Sequence, residues 1–267
     1  MERWKAFGDN RLQPDARSVR ALVHFARDLA IPREMALSSR VPRRFHGVMT
    51  IKEGELVTEH VPAGEPCGPV VLDGFRVAAD HVVALTATVP PEKWDDPALG
   101  EWTVRSLVGH IGRALSTVVD YLARPAAEQS VPSTADYYLL AAEQVDAEAV
   151  RVRGEQAGAE LGDHPAATLA EMRDRALQAL AQTDDRLVTT VVGGMLLSHY
   201  LPTRTFELVV HGLDLARATG HPASVPAGAL REALSVATEL AVLRGHGETV
   251  LLAMTGRSAL ASGFSVL

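Results

Sequence analysis

"WTVRSLVGHIGRALSTVVDYLARP", residues 102–125, carries apolar side chains at Val104, Leu107, Val108, Ile111, Leu115, Val118 and Leu122. That is the i, i+3, i+4, i+7 recurrence of a helix with one face in a core, so the stretch is predicted to be a long bundle helix. Thr103 suits an N-cap and Pro125 a stop. One residue stands off the stripe. At about 100° per residue, His110 lies roughly 120° from the stripe's centre, with small Ser106 and Ala114 beside it. It either lines a second cavity or points to water.

Helical signals continue on both sides. Residues 70–89 read as a helix stopped by Pro90-Pro91, residues 135–158 as a polar, acidic segment of helical propensity, and "PAATLAEMRDRALQALAQT" (165–183) as a further helix. The stretch 184–202 is ambiguous between strand, loop and buried helix. Pro202, at or near N1, is expected to open the next helix, which Gly220 and Pro222 close. A last helix falls in 226–244. "GETVLLAMTGRSALASGFSVL" (247–267) reads as one or two strands around Gly256. Upstream, residues 15–31 have helical periodicity with Asp15 as N-cap and Pro32 as stop. "FHGVMTIKEGELVTEH" (45–60) reads as a hairpin turning at Glu53-Gly54, and "VPAGEPCGP" (61–69) as a boundary. The hairpin's open edges call for a partner, and "ETVLLAM" (248–254) is the expected one. The fold class is therefore mainly α: an extension over 1–69 (helix plus hairpin), a helical bundle over 70–222, and a short α/β tail over 223–267 packing on the bundle.

Composition narrows the function. With 47% apolar residues in 267, a sizeable core is available. A net charge of −7 argues against nucleic acid or an anionic membrane surface as partner. No apolar run of membrane-spanning length and no signal-peptide h-region is visible. The single cysteine, Cys67, rules out an internal disulfide and a cysteine-based zinc ribbon, and suits a reducing cytoplasm. "GGMLLSH" lacks the Gly-Lys-Ser/Thr ending of a phosphate loop, and no G-x-S-x-G accompanies Ser198-His199.

Chemistry concentrates in "RTFELVVHGLDLARATG", residues 204–220. On a helix, Arg204, Glu207, His211 and Asp214 fall within about 80° of one another, between apolar flanks. Glu207 and His211, one turn apart, can chelate one divalent cation through a carboxylate oxygen and an imidazole nitrogen, but a catalytic site wants a third protein ligand and an open position. Of the ten histidines, His110 is the most attractive third ligand. The plain alternative is an alternating-charge strip facing water on an ordinary helical bundle.

Two segments, "LGEWTVRSLVGHIGRAL" (99–115) and "RTFELVVHGLDLARATG" (204–220), resemble the mycothiol-dependent maleylpyruvate isomerase family of the DinB-like, four-helix metal-binding superfamily. The ending "VLLAMTGRSALASGFSVL" (250–267) is similar to that of many short actinobacterial members, so the resemblance covers roughly residues 72–267. It implies that His110, Glu207 and His211 ligate a divalent metal, usually zinc. It also implies that mycothiol is a cosubstrate and that the activity is isomerisation or S-transfer on a small electrophile. Within it, Arg204 is expected to pair a substrate or cosubstrate carboxylate, or else to bridge to Asp214 or Glu207. Asp214 supports a ligand, and Arg257 reaches the cofactor if the tail folds over the bundle mouth. Cys67, in a Pro- and Gly-rich stretch, is a poor source of the thiolate. The extension 1–69 is no part of the family pattern, and the C-terminal part is shorter than in the maleylpyruvate isomerases proper. A thiol-dependent tailoring step in secondary metabolism, or a non-catalytic metal-binding accessory or sensor protein, fits the same motifs.

Overall fold

A computed structural model describes residues 48–52, 55–59 and 69–267. Of these, all but 261–265 belong to one compact unit. The expected helix at 15–31 and the boundary stretch with Cys67 lie outside the described residues.

Four long helices form the frame: α1 (Pro69–Thr86), α2 (Val104–Leu122), α5 (Pro165–Ala181) and α6 (Leu197–Thr219). They touch in a closed ring, α1 on α6, α6 on α2, α2 on α5 and α5 on α1, which is a four-helix bundle. The stripe read from the sequence of α2 is its core face: Val104, Leu107, Val108, Ile111, Leu115 and Val118 are all buried. Thr103 caps it, its hydroxyl accepting from the Ser106 amide. α1 contributes Phe75, Ala78, Ala79, Val82 and Leu85 to the same core.

Shorter helices clothe the ring. The polar segment after α2 makes two helices, α3 (Thr134–Gln144) and α4 (Ala147–Glu160), capped by Ser133 and Asp146. α3 packs on α6 and α4 on α2; α7 (Ala227–Leu243) lies on α6 and α1, and α8 (Gly247–Met254) on α7. Three two-stranded antiparallel ladders complete the described residues: β1 (Val48–Lys52) with β2 (Glu55–Glu59), β3 (Pro97–Leu99) with β4 (Trp102–Thr103), and β5 (Leu187–Thr190) with β6 (Gly193–Leu196).

The contact between α2 and α4 bears directly on the site, because His110 follows Gly109. A Cβ on Gly109 would lie 2.1 Å from the Gly158 amide nitrogen, and one on Gly154 would lie 2.7 Å from the Trp102 ring. Gly109 and Gly158 let the two backbones meet, and Gly154 leaves room for the indole. Gly109→Ala forces backbone against backbone, and overpacking of this kind costs about 2 kcal/mol, or roughly 4–8 °C in a chain of this size. A calorimetric melting temperature unchanged by Gly109→Ala would contradict the contact.

Three sequence readings need correcting. Pro202 does not open its helix; α6 starts at Leu197 and holds the proline inside. The start is set by Asp185, whose carboxylate accepts from the Ser198 amide (2.9 Å) and hydroxyl (2.6 Å), a cap supplied from before the β5–β6 hairpin. The ambiguous stretch 184–202 thus divides into that hairpin and the first turn of α6. The "ETVLLAM" segment is helix α8, not a strand. Gly256, at φ 72°, terminates it: the Arg257 amide donates back to the Leu252 carbonyl at 2.8 Å, the left-handed glycine stop of a helix and not the turn of a hairpin. The 48–59 hairpin is paired as expected, Lys52 opposite Glu55 across Glu53-Gly54, but β2 is the neighbour of β1 and no tail strand joins them.

Candidate metal centre

α6 packs against α1, α2, α3 and α7. Its small-residue side, with Thr205, Val209, Gly212 and Ala216, is buried, and Gly212 lets Val82 of α1 come close. The polar stripe therefore does not face open water. Glu207 and His211, one turn apart, turn toward α2, where His110 meets them.

The three side chains are mostly covered, with 16–20% of each exposed. Glu207 Oε2 lies 3.3 Å from His211 Nε2 and 3.7 Å from His110 Nε2, and one donor atom from each residue falls within 4.8 Å of the other two. Bonds of about 2.0–2.1 Å at tetrahedral angles place ligand atoms about 3.3 Å apart. One edge already has that length and a second is a few tenths longer. Two imidazoles and a carboxylate also match the donor set of a catalytic zinc site with an open fourth position. The residues fit a divalent ion.

Their neighbours orient them. Asp214, one turn on, accepts from His211 Nδ1 at 3.2 Å, which directs Nε2 toward Glu207, while Arg217 lies 3.6 Å from the other Asp214 oxygen. Trp102 stacks on His110 with centroids 4.6 Å apart, and its own indole N–H donates to the Arg151 carbonyl at 3.0 Å. His110 Nδ1 is buried without a hydrogen-bond partner, so the ring is placed by Trp102, by the edge-on His211 ring (centroids 4.8 Å apart) and by Glu207 at its other nitrogen. Tyr138 donates to Glu207 Oε1 at 2.9 Å.

Charge is distributed accordingly. Burial opposes ionisation of Glu207, but its hydrogen bonds with His110 and His211 outweigh this and hold the carboxyl well below its ordinary range. Burial likewise opposes the His211 imidazolium, yet Asp214 and Glu207 push its pKa up to about 9. Burial keeps His110 below its ordinary value. A metal arriving at neutral pH must therefore displace one proton, that of His211, because His110 is already neutral and Glu207 already ionised. Apparent affinity is expected to rise about tenfold per pH unit from pH 7 to near 9. Cobalt titrations that give the same dissociation constant at pH 7 and pH 8 would contradict this balance.

Arg204 has a different setting from the one its place on the stripe suggests. It is buried, its Nε donates to Thr203 Oγ1 at 2.9 Å, and its guanidinium lies over the rings of Tyr200 (4.9 Å) and Tyr137 (5.4 Å). Among the described residues no carboxylate bridges to it, neither Asp214 nor Glu207. Arg257 is not brought to this place. It is exposed just past α8, and its guanidinium turns back to the Thr255 carbonyl at 3.0 Å.

The sequence profile of the mycothiol maleylpyruvate isomerase N-terminal domain matches residues 75–216, more than half of the chain. The chain belongs to this family. The matched span begins within α1 and ends within α6, so the family's domain includes the whole ring of helices except the ends of those two, and all three candidate ligands. No curated protein and no solved structure gives a match. Among the described residues no helix is long and apolar enough to cross a membrane.

The two motifs do not reveal the aromatic surroundings of the candidate site. The chain has four tyrosines, and Tyr121, Tyr137, Tyr138 and Tyr200 gather in one chain of ring contacts. The doublet Tyr137-Tyr138, inside an otherwise polar segment, was the available signal.

Proposed function

We propose that this protein is a divalent-metal-dependent enzyme that uses mycothiol, or a closely related small thiol, to isomerise a small electrophile or to transfer sulfur to it. The observation that carries the reading is the convergence of His110 Nε2, His211 Nε2 and Glu207 Oε2, within a chain of this family. Zinc or a similar ion bound there would supply a Lewis acid that keeps a coordinated thiol deprotonated near neutral pH.

The protein's own groups then have definite tasks. His211 is held in one orientation by Asp214, and Glu207 brings the negative charge that offsets part of the cation's. Trp102 and the glycine contact beneath it exclude water from one side, which strengthens every charge interaction at the centre. Arg204 adds a fixed positive charge that, among the described residues, no carboxylate bridges, and this favours a substrate or thiol carrying a carboxylate. In isomerisation the thiolate sulfur adds beside a cis double bond, the resulting single bond rotates, and the sulfur leaves with the electron pair it brought. In transfer the new carbon–sulfur bond stays and a proton completes the carbon. Both outcomes need a reduced thiol, so the protein belongs in a reducing cytoplasm.

Cobalt-substituted protein tests this reading. Adding mycothiol is expected to produce a near-ultraviolet sulfur-to-cobalt charge-transfer band that a thiol-free analogue does not produce. Stoichiometric cobalt with no spectral response to thiol would instead indicate a metal-binding accessory protein.

A further inference from the structure

We infer that Tyr138 is a positioning residue that decides which oxygen of Glu207 faces the metal point, so that this carboxylate ligates through one oxygen only. The inference rests on the metal-dependent reading above. Glu207 offers Oε2 to the two histidines, 3.3 Å and 3.7 Å away. Its other oxygen, Oε1, accepts from the Tyr138 hydroxyl at 2.9 Å. The Thr203 carbonyl, one turn earlier on α6, lies 3.0 Å from the same hydroxyl and shares its one proton, of which the charged carboxylate is the stronger acceptor.

Tyr138 has little freedom to do otherwise. It comes from α3, outside the ring of four helices, and is buried with its ring edge-on to Phe206 (5.3 Å) and Tyr137 (5.4 Å). A carboxylate without such a partner can swing and chelate with both oxygens, which uses up a second coordination position. With Oε1 engaged, the protein contributes three donor atoms, and the positions needed by a thiol and an electrophile stay open. Hydrogen-bond partners of metal ligands typically change affinity 10–100-fold.

The test uses the full chain and the variant Tyr138→Phe, which deletes one hydroxyl and keeps the ring packing. Cobalt titration is expected to show 10–100-fold weaker binding. The visible d–d absorption of the cobalt form is expected to fall as Glu207 becomes bidentate and the coordination number rises. The melting temperature of the metal-free protein should stay within a few degrees of wild type. Tyr138→Phe with wild-type affinity and spectrum would overturn the inference and leave the metal reading intact. Wild-type protein that takes up no cobalt would overturn both.

Discussion

His211→Ala is expected to abolish stoichiometric metal binding, weakening it at least about a thousandfold, or roughly 4 kcal/mol. Two effects add. One of three donor atoms is lost, and a pair of ligands on neighbouring helices is left without the i, i+4 chelate that α6 provides. Glu207 also loses the imidazole that lies 3.3 Å from its Oε2 in the metal-free protein, leaving a largely buried carboxylate to lean on His110 and Tyr138. Asp214→Asn provides the scale for comparison. It keeps every ligand and weakens only the hydrogen bond that orients His211, so a loss of 10–100-fold is expected. Equilibrium dialysis with zinc distinguishes the two variants. Full occupancy in His211→Ala would remove this residue from the ligand set.

The second large effect concerns the source of the thiolate. Turnover is expected to stop when the small thiol is omitted and to be nearly unchanged in Cys67→Ser. The nucleophile must be a thiolate within reach of the centre. The three candidate ligands offer nitrogen and oxygen only, and Cys67 is the chain's one cysteine. Its sequence surroundings, Pro66 and Gly68, are those of a turn or loop, not of a catalytic helix. Omission of the thiol should lower the rate by several orders of magnitude. Activity that persists without thiol and disappears in Cys67→Ser would make this a cysteine enzyme and overturn the cosubstrate assignment.

How far the sequence could be read depended on whether the deciding interaction was local. α2 was legible from its cap to its last turn because one face is buried, which leaves a period in the sequence, and because Thr103 lies beside the helix it caps. α6 is buried around most of its circumference and is capped by Asp185 from across a hairpin, so neither period nor neighbour marked its start and Pro202 drew attention to the wrong place. In α8, the apolar run Val250-Leu251-Leu252-Ala253-Met254 suits a strand and a helix equally. Only the geometry at Gly256 separates them. The convergence of Glu207 with His211 follows from helical spacing, whereas the approach of His110 needed two helices to be placed side by side, and the family motifs supplied that link. Trp102 on β4, Tyr138 on α3 and Glu207 on α6 come from separate elements. No spacing rule connects them.

The most direct test of the central claim is crystallography of the zinc-loaded full chain with anomalous data collected on both sides of the zinc absorption edge. One peak is expected between α2 and α6, about 2.0–2.1 Å from His110 Nε2 and His211 Nε2, with Glu207 Oε2 as the third protein ligand and Oε1 still held by Tyr138. A zinc-loaded crystal with no anomalous peak at these three side chains, or with its ion bound to other residues, would contradict the assignment.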